Sequence, residues 1–360
     1  MIRVAINGYG RIGRVAHRVI LEKHSAEIEV VGINAGSSTD IKGWMYLLKY
    51  DTSYGQLGSE FVVQSLGLAE EEKIGFLKDC IGYLTINEKR IPVFSQKDPG
   101  LLPWKSLNVD VVIESTGHFL TQEKLQTHLT AGAKKVVLSA PAKGGEIATY
   151  VLSVNDQNYK GENLINNASC TTNCIAPVAR IMVDYFGVEK AMMTTVHGYT
   201  SDQKLQDGGH KDYRRARAAA ENIVPTSTGA TIAAGEVIPE LVGIFNGLSL
   251  RVPVPVGSLS DFTFLLKKPT TKEEVNEIFK KEAQSARYKG ILEATEDPIV
   301  SSDIVGNTHS SIVDLSLTQV VGGNMVKIIA WYDNEVGYAN RLVEQVILVG
   351  LSPNKAERKI

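Results

Sequence analysis

Short apolar runs alternate with amphipathic segments along the first third of the chain. Four runs have the length and composition of buried strands: residues 2–6, 28–34, 109–114 and 135–139. Residues 11–21 and 121–131 lie between such runs and space their apolar side chains as an amphipathic helix does. Because strands and helices alternate, this part of the chain predicts a parallel sheet with helices on both faces.

The pattern changes after about residue 170. Longer runs rich in β-forming residues predict strands at residues 191–197, 249–253, 258–266 and 325–332. Helices are predicted among and after them, at residues 231–240, 272–286 and 335–348. This order favours an α+β domain with a mixed or antiparallel sheet. Upstream, residues 61–93 hold short β-rich runs, the charged residues 70–73 predict a solvated turn, and residues 352–360 predict a frayed tail.

The composition is that of an ordinary globular protein. The 360 residues suffice for about two domains, and 43% of them are hydrophobic and 22% charged. A net charge of −2 argues against nucleic acid or an anionic membrane as the partner. Three cysteines cannot form a disulfide framework, and we find no targeting pattern and no apolar run of membrane-spanning length. We therefore expect a reducing, cytoplasmic setting, without a membrane and without a metal site.

A glycine-rich turn joins the first predicted strand to the first predicted helix. Gly8, Gly10 and Gly13 fit the pattern G-x-G-x-x-G, which becomes a strong signal in this strand–turn–helix context. Gly8 permits the tight turn, Gly10 lets the backbone approach a pyrophosphate, and Gly13 lets helix and strand pack closely. The helix N-terminus adds N–H donors for the phosphates. The first domain is therefore predicted to bind a dinucleotide, and a turn without a ligand is the alternative.

The end of the second predicted strand bears on the choice of dinucleotide. An NAD-specific site carries an acid there, about 20 residues after the glycines, which binds the ribose 2′-hydroxyl. In this chain Asn34 is followed by Ala35, and the nearest acid, Asp40, comes several residues later. The missing acid removes repulsion against a 2′-phosphate, to which Ser37 and Ser38 could donate hydrogen bonds. The sequence predicts NADP use, alone or alongside NAD; a polar loop that still binds NAD is the alternative.

Cys170 is predicted at the start of a helix. The segment SCTTNC, residues 169–174, lies where a polar stretch gives way to the apolar residues 175–179. A thiol at a helix N-terminus is easier to ionise, and a thiolate is a strong nucleophile. Cys170 is therefore a candidate for covalent catalysis, although a lone cysteine is more often a small buried hydrophobe.

With these two motifs in this order, the chain resembles phosphorylating glyceraldehyde-3-phosphate dehydrogenases from residue 1 to about residue 350. The other matching segments are LLKYD (47–51), ESTG (114–117), SAPAKG (139–144), HGYT (197–200), PTSTGA (225–230), RVP (251–253) and WYDNEVGY (331–338). The resemblance implies an α/β protein with a Rossmann dinucleotide-binding domain over residues 1–169, an α+β catalytic domain over residues 170–333, and a homotetramer. The last helix, within residues 334–360, is expected to complete the Rossmann domain.

The resemblance also implies a covalent mechanism. Cys170 matches the family nucleophile and His197 its base, although a lone histidine is more often structural; together they can hold an ion pair ready for attack. The thiolate would attack the aldehyde of glyceraldehyde 3-phosphate to give a thiohemiacetal, and hydride transfer would leave a thioester. Inorganic phosphate would then release 1,3-bisphosphoglycerate. The backbone N–H of Cys170 and the imidazole of His197 would stabilise the oxyanions.

Two anions must be held, the substrate phosphate and the attacking phosphate. Arg251 follows an apolar run and is suited to an oxyanion. Arg215 is a candidate second cation, but an arginine cluster on one helical turn is as often a solvated or interface face. The family match adds further ligands around the two phosphates: Ser169, Thr171, Thr200, Thr228 and Gly229.

The remaining matched positions concern the cofactor. Asn334 matches the residue that hydrogen-bonds the nicotinamide amide, although its place before Glu335 also predicts a helix N-cap. Tyr338 matches an aromatic residue beside the nicotinamide ring, and Lys97 aligns with an arginine on the adenine side. Besides the three glycines, the dinucleotide is expected to contact residues in the turns after the strands: Arg11, Ile12, Asn34, Ala35, Ser37, Ser38, Thr116, Gly117 and Ser139.

The chain departs from the family pattern in three places. Ala35 replaces the usual ribose-binding acid. Gly208 and Gly209 replace the Leu-Pro of NAD-specific members, in a loop that reaches the adenosine site of a neighbouring subunit in the family. Both changes leave room for a 2′-phosphate. Residues 66–80 form a longer stretch than usual, for which the sequence offers no functional interpretation.

Two alternatives to this function remain. Erythrose-4-phosphate dehydrogenase shares the nucleophile segment, but it typically lacks the threonine–glycine pair that Thr228 and Gly229 match. A binding protein with a degenerate site is the other alternative, and it is disfavoured because Cys170, His197 and Arg251 are all present.

Overall fold

The computed structural model describes residues 1–352 of the chain. The polypeptide forms two compact units. Within the described residues, the first unit holds Met1–Thr149, Tyr159–Asn167 and residues 339–352; the second holds Tyr150–Asn158 and Ala168–Tyr338. Residues 353–360, part of the predicted last helix and of the predicted frayed tail, lie outside the described residues.

The first unit is built on a mixed sheet of nine strands. The strands of this unit, in chain order, are β1 (Ile2–Asn7), β2 (Ile28–Asn34), β3 (Tyr50–Asp51), β4 (Gly55–Gln56), β5 (Val63–Gly67), β6 (Cys80–Ile86), β7 (Lys89–Phe94), β8 (Val111–Glu114), β9 (Lys135–Leu138), β10 (Ala148–Thr149) and β11 (Leu164–Asn166). β3 and β4 form a separate two-stranded ribbon, and the other nine strands form the sheet. The spatial order is β10-β11-β9-β8-β1-β2-β7-β6-β5. Strands β10 to β7 are parallel, which confirms the predicted parallel sheet, whereas β6 and β5 add an antiparallel edge.

The part of this unit before Thr149 contributes three α-helices: α1 (Arg11–Lys23), α2 (Ile41–Lys49) and α3 (Gln122–Thr130). α1 follows β1 directly and is amphipathic, as its sequence pattern predicts, although its buried residues also include His17 and Arg18. Because parallel strands have their carboxyl ends at one edge, the last residues of β1, β2, β7 and β8 lie along the same edge of the sheet. These residues are Asn7, Asn34, Phe94 and Glu114. The turns after them carry the residues predicted to bind a dinucleotide.

The second unit holds a mixed sheet of eight strands. Its elements are α4 (Cys170–Phe186), β12 (Val188–Gly198), β13 (Val224–Ser227), α5 (Ala230–Val237), β14 (Phe245–Val252), β15 (Ser258–Leu266), α6 (Lys272–Ala283), β16 (Leu292–Thr295), β17 (Ser311–Asp314), β18 (Gln319–Val321) and β19 (Met325–Tyr332). The spatial order is β13-β14-β12-β15-β19-β17-β16, with β18 paired to β19. The predicted mixed sheet is therefore confirmed. A last helix, α7, spans Val336–Leu351.

Several boundaries differ from the predicted ones. The helix predicted at residues 231–240 ends at Val237, because Pro239 follows and the residue before a proline disfavours the α conformation. β14 begins at Phe245 rather than at residue 249, since its pairing with β12 continues across Gly247, which weakens the strand signal. The charged residues predicted as a solvated turn include a short exposed 3₁₀ helix, Glu70–Glu72.

Candidate active site

Cys170 is the first residue of α4, at the helix start that the sequence predicts. Ser169 caps this helix, and its Oγ accepts a hydrogen bond from the Thr172 N–H at 3.1 Å. The preceding residue, Ala168, has a φ of +53°, a left-handed conformation that costs an alanine about 1 kcal/mol. The Tyr338 hydroxyl donates to the Ala168 carbonyl at 3.0 Å. Cys170 therefore lies at a capped helix N-terminus, and the turn before it is held by the hydrogen bond from Tyr338.

His197 faces Cys170 from β12. Its Nε2 lies 3.4 Å from Cys170 Sγ, and its Nδ1 lies 2.6 Å from the Gly198 carbonyl oxygen. A carbonyl only accepts hydrogen bonds, so the ring carries its proton on Nδ1. The neutral imidazole then presents the lone pair of Nε2 to the thiol. This is the tautomer that a base for Cys170 requires.

Burial disfavours the charged forms of both Cys170 and His197. Burial raises the pKa of the Cys170 thiol, while the Arg251 guanidinium and hydrogen bonds from Thr171 act in the opposite direction. Burial, helped by the Arg251 cation, lowers the pKa of His197 to about 3. Each group alone therefore resists ionisation. A proton that moves from Sγ to Nε2 creates both charges together, so that each stabilises the other and the positive end of α4 favours the thiolate.

Arg251 lies beside His197, because the two residues are paired in register on the neighbouring strands β14 and β12. The Arg251 Nη1 donates to Thr200 Oγ1 at 3.1 Å and to the Gly198 carbonyl at 3.5 Å. The Arg251 Nε is buried and has no hydrogen-bond partner within residues 1–352. A buried guanidinium with an unused donor is suited to an oxyanion. Arg251 and Thr200, both predicted as phosphate ligands, thus lie together beside His197.

Arg215 is engaged with other protein groups. Its guanidinium donates to three acceptors: Asp202 at 2.6 Å, Thr226 at 2.9 Å and the Ser227 carbonyl at 3.3 Å. These contacts bring Arg215 to the turn that holds Thr228 and Gly229, the residues just before α5. The predicted ligands Arg215, Thr228 and Gly229 therefore form a second polar group within the same unit.

A buried chain of hydroxyl groups, which no local sequence pattern predicts, adjoins the nucleophile. The Tyr332 hydroxyl lies 2.9 Å from Thr171 Oγ1 and 2.8 Å from Thr195 Oγ1. Thr195 donates its proton to the Leu259 carbonyl at 3.0 Å, so Tyr332 donates to Thr195 and Thr171 donates to Tyr332. Tyr332 also meets the His197 ring edge-to-face, with centroids 6.0 Å apart. The signal for Tyr332 was its place in the matched segment at residues 331–338.

Asn334 does not cap the last helix, which corrects one of the two interpretations of this residue. The Asp333 carboxylate accepts the N–H groups of residues 335 and 336, each at 2.8 Å, because a charged carboxylate is the stronger acceptor. The Asn334 amide oxygen accepts instead from the Gly257 N–H at 3.2 Å and from the Ser258 hydroxyl at 2.8 Å. Among the described residues its NH₂ group has no hydrogen-bond partner, so it is free to donate to a ligand.

The turn after β1 fits a dinucleotide. Gly8 has a φ of +95°, and a Cβ atom there would lie 2.6 Å from the backbone nitrogen of Thr116. A Cβ atom at Gly13 would lie 2.2 Å from the Gly8 carbonyl oxygen, whereas one at Gly10 would meet nothing within 4 Å. The turn is thus tightly packed on its protein side and open above Gly10. This arrangement suits a pyrophosphate at the N-terminus of α1.

Some residues predicted to contact the dinucleotide have side chains already engaged in the first unit. Arg11 Nη1 donates to Asp51 Oδ2 at 2.5 Å. Asn34 donates both hydrogens of its amide, to Asn7 Oδ1 at 2.7 Å and to the Gln96 carbonyl at 2.8 Å. These side chains shape the edge of the sheet and are not free for a ligand. Four more predicted residues lie in the first turn of α1 or in the turns after β8 and β9: Ile12, Thr116, Gly117 and Ser139.

The turn after β2 carries Ala35 and Ser38. Ser38 Oγ accepts hydrogen bonds from the Trp44 indole N–H at 3.0 Å and from the Asp40 N–H at 3.3 Å. Within the described part of the chain the Ser38 hydroxyl donates to no acceptor, so its proton is free to be donated to a ligand. The Asp40 side chain caps α2. Two further predicted contacts are exposed in the turns after β2 and β7: Ser37 and Lys97.

All three cysteines are free thiols, and burial raises the pKa of Cys174 to about 12. Within residues 1–352, no helix is long and apolar enough to cross a membrane. The same part of the chain holds no group of three or more histidine, cysteine, aspartate or glutamate side chains placed to bind a metal ion.

Two family models match the chain. The NAD binding domain of glyceraldehyde 3-phosphate dehydrogenase matches residues 2–122, and the C-terminal domain of the same family matches residues 169–334.

Similar curated proteins match over nearly their full length. A glyceraldehyde-3-phosphate dehydrogenase of Mycobacterium avium is 50% identical over 355 residues, which cover 98% of this chain and 99% of that protein. The protein of the same name from Mycobacterium tuberculosis gives the same identity and coverage. The one from Streptomyces coelicolor is 49% identical over 351 residues, 97% of this chain and 98% of that protein.

Proposed function

The chain belongs to the glyceraldehyde-3-phosphate dehydrogenase family, and on this premise we propose how its residues carry the family's reaction. It is an NAD(P)-dependent oxidoreductase that converts D-glyceraldehyde 3-phosphate and inorganic phosphate to 1,3-bisphosphoglycerate. The observation that carries the proposal is the contact of Cys170 Sγ with His197 Nε2, 3.4 Å apart, next to Arg251. No observation favours erythrose 4-phosphate as the substrate.

The first step forms a carbon–sulfur bond. Cys170 Sγ attacks the aldehyde carbon while its proton passes to His197 Nε2, whose lone pair already faces the thiol. The new oxyanion receives a hydrogen bond from the Cys170 N–H and then the proton from His197, which gives a neutral thiohemiacetal. Arg251 and Thr200 hold the phosphate group of the substrate.

The second step oxidises the thiohemiacetal. The bound dinucleotide supplies the hydride acceptor at its nicotinamide. His197 Nε2 removes the hydroxyl proton as the hydride leaves the same carbon, so that a thioester to Cys170 remains. The free NH₂ group of Asn334 orients the nicotinamide amide, while Gly257 and Ser258 fix the other end of its side chain.

The third step releases the product. Inorganic phosphate attacks the thioester carbon, the carbon–sulfur bond breaks, and the thiolate of Cys170 leaves. We assign the attacking phosphate to the groups near the nucleophile and the turn before α5: Ser169, Thr171, Arg215, Thr228 and Gly229. The contacts of Arg215 with Thr226 and Ser227 support this assignment, because they hold its guanidinium at that turn.

The enzyme uses NADP or both dinucleotides, and NADP is favoured. Three features support this choice: Ala35 stands where NAD-specific sites carry an acid, the Ser38 hydroxyl proton is free to be donated, and Gly208 and Gly209 are small. From the family resemblance we further propose a homotetramer and a cytoplasmic location.

Trapping the covalent intermediate tests this proposal. Enzyme mixed with glyceraldehyde 3-phosphate and either NAD⁺ or NADP⁺ without phosphate should carry one acyl group, located by peptide mass spectrometry on Cys170. Added phosphate should remove it and release an acyl phosphate. If Cys170 stayed unmodified without phosphate, although the same enzyme turned over fully with phosphate, the covalent mechanism would be refuted. The specificity constants for the two dinucleotides, measured with phosphate present, test the cofactor choice, and a much larger constant for NAD⁺ would refute it.

A further inference from the structure

Glu114 is a fully buried carboxylate at the end of β8 that the mechanism does not use. Its Oε2 accepts hydrogen bonds from Asn7 Nδ2 at 2.5 Å and from His128 Nε2 at 3.0 Å. Its Oε1 accepts from the Thr116 N–H at 2.8 Å and from the Thr116 hydroxyl at 2.5 Å. Both oxygens are therefore saturated by protein donors.

Trp104 fixes the proton of His128. The indole Nε1 lies 3.0 Å from His128 Nδ1, and an indole nitrogen can only donate. Nδ1 is therefore bare, and the one proton of the neutral ring lies on Nε2, where it is donated to Glu114. His128 is itself fully buried. The contact between Glu114 and His128 is thus a hydrogen bond from a neutral imidazole and not an ion pair.

The groups around Glu114 match a carboxylate that accepts four hydrogen bonds. The Asn7 amide, the Thr116 N–H and the His128 Nε2–H can only donate to it, and a carboxylic acid proton would oppose them. No lysine or arginine pairs with Glu114 in the part of the chain that the structure describes. A buried carboxylate without a cation depends on its hydrogen bonds, so it holds its donors firmly in place.

These donors connect four strand ends. The Asn7 Oδ1, at the end of β1, accepts from Asn34 Nδ2 at the end of β2. The Asn34 amide then binds both backbone groups of Gln96, in the turn after β7. Through Thr116 the same network holds the turn after β8. Each of these turns carries residues proposed to bind the dinucleotide: Gly8, Ala35, Lys97 and Gly117.

We infer that Glu114 is a positioning residue for the dinucleotide, since its buried carboxylate, locked by Trp104 and His128, holds all four binding turns at their mutual distances. The inference rests on the proposed dinucleotide site and adds a residue that would not touch the ligand. A backbone cradle binds only if its N–H groups are correctly placed before the ligand arrives. Glu114 bonds the end of β1 and the turn after β8 directly, and it reaches the turns after β2 and β7 through Asn7 and Asn34.

The first test replaces the carboxylate with an amide of the same shape. Glu114→Gln puts an NH₂ group where two donors already point, so the affinity of the free enzyme for NAD⁺ and for NADP⁺ should fall about 10-fold or more. Dissociation constants are measured by titration calorimetry without substrate. Glu123→Gln, an exposed carboxylate on α3, is the matched control and should bind as the wild type does. The rate of Cys170 alkylation, measured without dinucleotide, should stay unchanged in both variants.

A second pair of variants decides the question if Glu114→Gln does not fold. His128→Gln keeps a side-chain N–H near the position of Nε2, whereas His128→Leu has no donor, and both lose the contact with Trp104. We expect His128→Gln to bind the dinucleotides at least 5-fold more tightly than His128→Leu. A merely structural role would lower the unfolding midpoint of both and leave their affinities equal.

The outcomes separate the two proposals. A wild-type protein that binds neither dinucleotide refutes the proposed function itself. A wild-type protein that binds, with Glu114→Gln or His128→Leu of undiminished affinity, overturns the positioning role alone. Nitrogen NMR of the wild-type imidazole should show His128 protonated on Nε2 only; protons on both nitrogens would overturn the lock by Trp104.

Discussion

Two regions of the molecule differ in how fully their polar side chains are hydrogen-bonded. The catalytic cluster (Cys170, His197, Thr200 and Arg251) has donors and acceptors that are not used within the described part of the protein. At the dinucleotide edge (the carboxyl ends of β1, β2, β7 and β8 with the turns that follow), the buried polar side chains are bonded to other protein groups. In the cluster, the buried Arg251 Nε has no hydrogen-bond partner among residues 1–352, and the lone pair of His197 Nε2 faces the thiol that it is to deprotonate. Along the edge, the carboxylate of Glu114 and the amide of Asn34 are saturated by protein groups.

The difference follows from what each region does. A side chain that exchanges protons or holds an incoming anion needs free capacity, and a folded protein retains such groups at some expense of stability. A backbone cradle needs the opposite, because side chains that are fully paired hold its N–H groups still. Substitutions in the catalytic cluster should therefore lower activity more than stability, and substitutions along the dinucleotide edge should lower stability and affinity together.

The largest effect is expected at Cys170. Cys170→Ser should lower kcat by about 10⁴- to 10⁶-fold, the range seen when a catalytic nucleophile is lost. The unfolding midpoint should stay close to that of the wild type, because serine keeps the capped helix start. Steady-state rates with phosphate and thermal unfolding of the same preparation measure both quantities.

Cys174→Ala is the matched control on the same helix. Cys174 is buried, and burial raises its pKa to about 12, so it should take no part in the reaction. We expect a loss of about 1 kcal/mol in the free energy of unfolding with turnover retained. Loss of turnover in Cys174→Ala with activity kept in Cys170→Ser would exchange the roles of the two thiols.

His197 should give the next largest effect. His197→Gln removes the base and should lower kcat by about 10²- to 10⁴-fold. It also leaves the thiol with the raised pKa that burial imposes. A raised pKa means less thiolate at pH 7, so Cys170 in His197→Gln should react more slowly with iodoacetamide at that pH than in the wild type.

The pH profile of this alkylation tests whether His197 promotes ionisation of the Cys170 thiol. In His197→Gln the rate should rise about tenfold per pH unit until the pH passes the thiol pKa. The wild type should reach its plateau at a lower pH, since proton transfer to Nε2 makes both charges together. Coincident profiles would mean that His197 does not activate the thiol.

Arg251 has a donor, Nε, without a partner among residues 1–352, whereas the Arg215 guanidinium bonds three protein acceptors. Arg251→Gln loses charge-assisted hydrogen bonds to the substrate, worth about 1.5–3 kcal/mol, so kcat/KM for glyceraldehyde 3-phosphate should fall about 10- to 100-fold with little loss of stability. Arg215→Gln removes the hydrogen bonds that the guanidinium donates to Asp202 and Thr226. It should therefore lower the unfolding midpoint as well as kcat/KM. Equal losses of stability in the two variants would contradict the contrast.

Features that depend on neighbouring residues in the chain could be predicted from the sequence. The strand–turn–helix at Gly8, the helix start at Cys170 and the alternation of strands and helices each follow from local patterns. The family resemblance then named His197 and Arg251, but only the pairing of β12 with β14 explains why they adjoin.

Features that join distant residues could not be predicted. Tyr332 contacts Thr171 and Thr195 across the sheet of the second unit, and no local pattern marks such a contact. Asn334 was open to two interpretations, because sequence alone does not show that the Asp333 carboxylate takes the helix cap. The network around Glu114 could not be predicted either, since its members come from six separate segments of the chain.

Asn34 offers a test of the dinucleotide edge that avoids Glu114. Asn34→Ala removes the partner of Asn7 Oδ1 and of both backbone groups of Gln96, so the free energy of unfolding should fall by about 3 kcal/mol. Chemical denaturation measures this loss. Asn246→Ala, an exposed asparagine on β14, serves as the control and should change stability by less than about 0.5 kcal/mol.

The smallest effect is expected one residue further on, at Ala35. Ala35→Asp places a carboxylate where it repels a 2′-phosphate and can bind a ribose hydroxyl, so the NADP⁺-to-NAD⁺ ratio of kcat/KM should fall about 10-fold. Ala35→Asn has the same size without the charge and should change the ratio much less. Asn34 points into the network and Ala35 begins the open turn. The opposite result would be that Ala35→Asp destabilised the fold while Asn34→Ala changed only cofactor preference. It would mean that Ala35 supports the fold and that Asn34 contacts the dinucleotide.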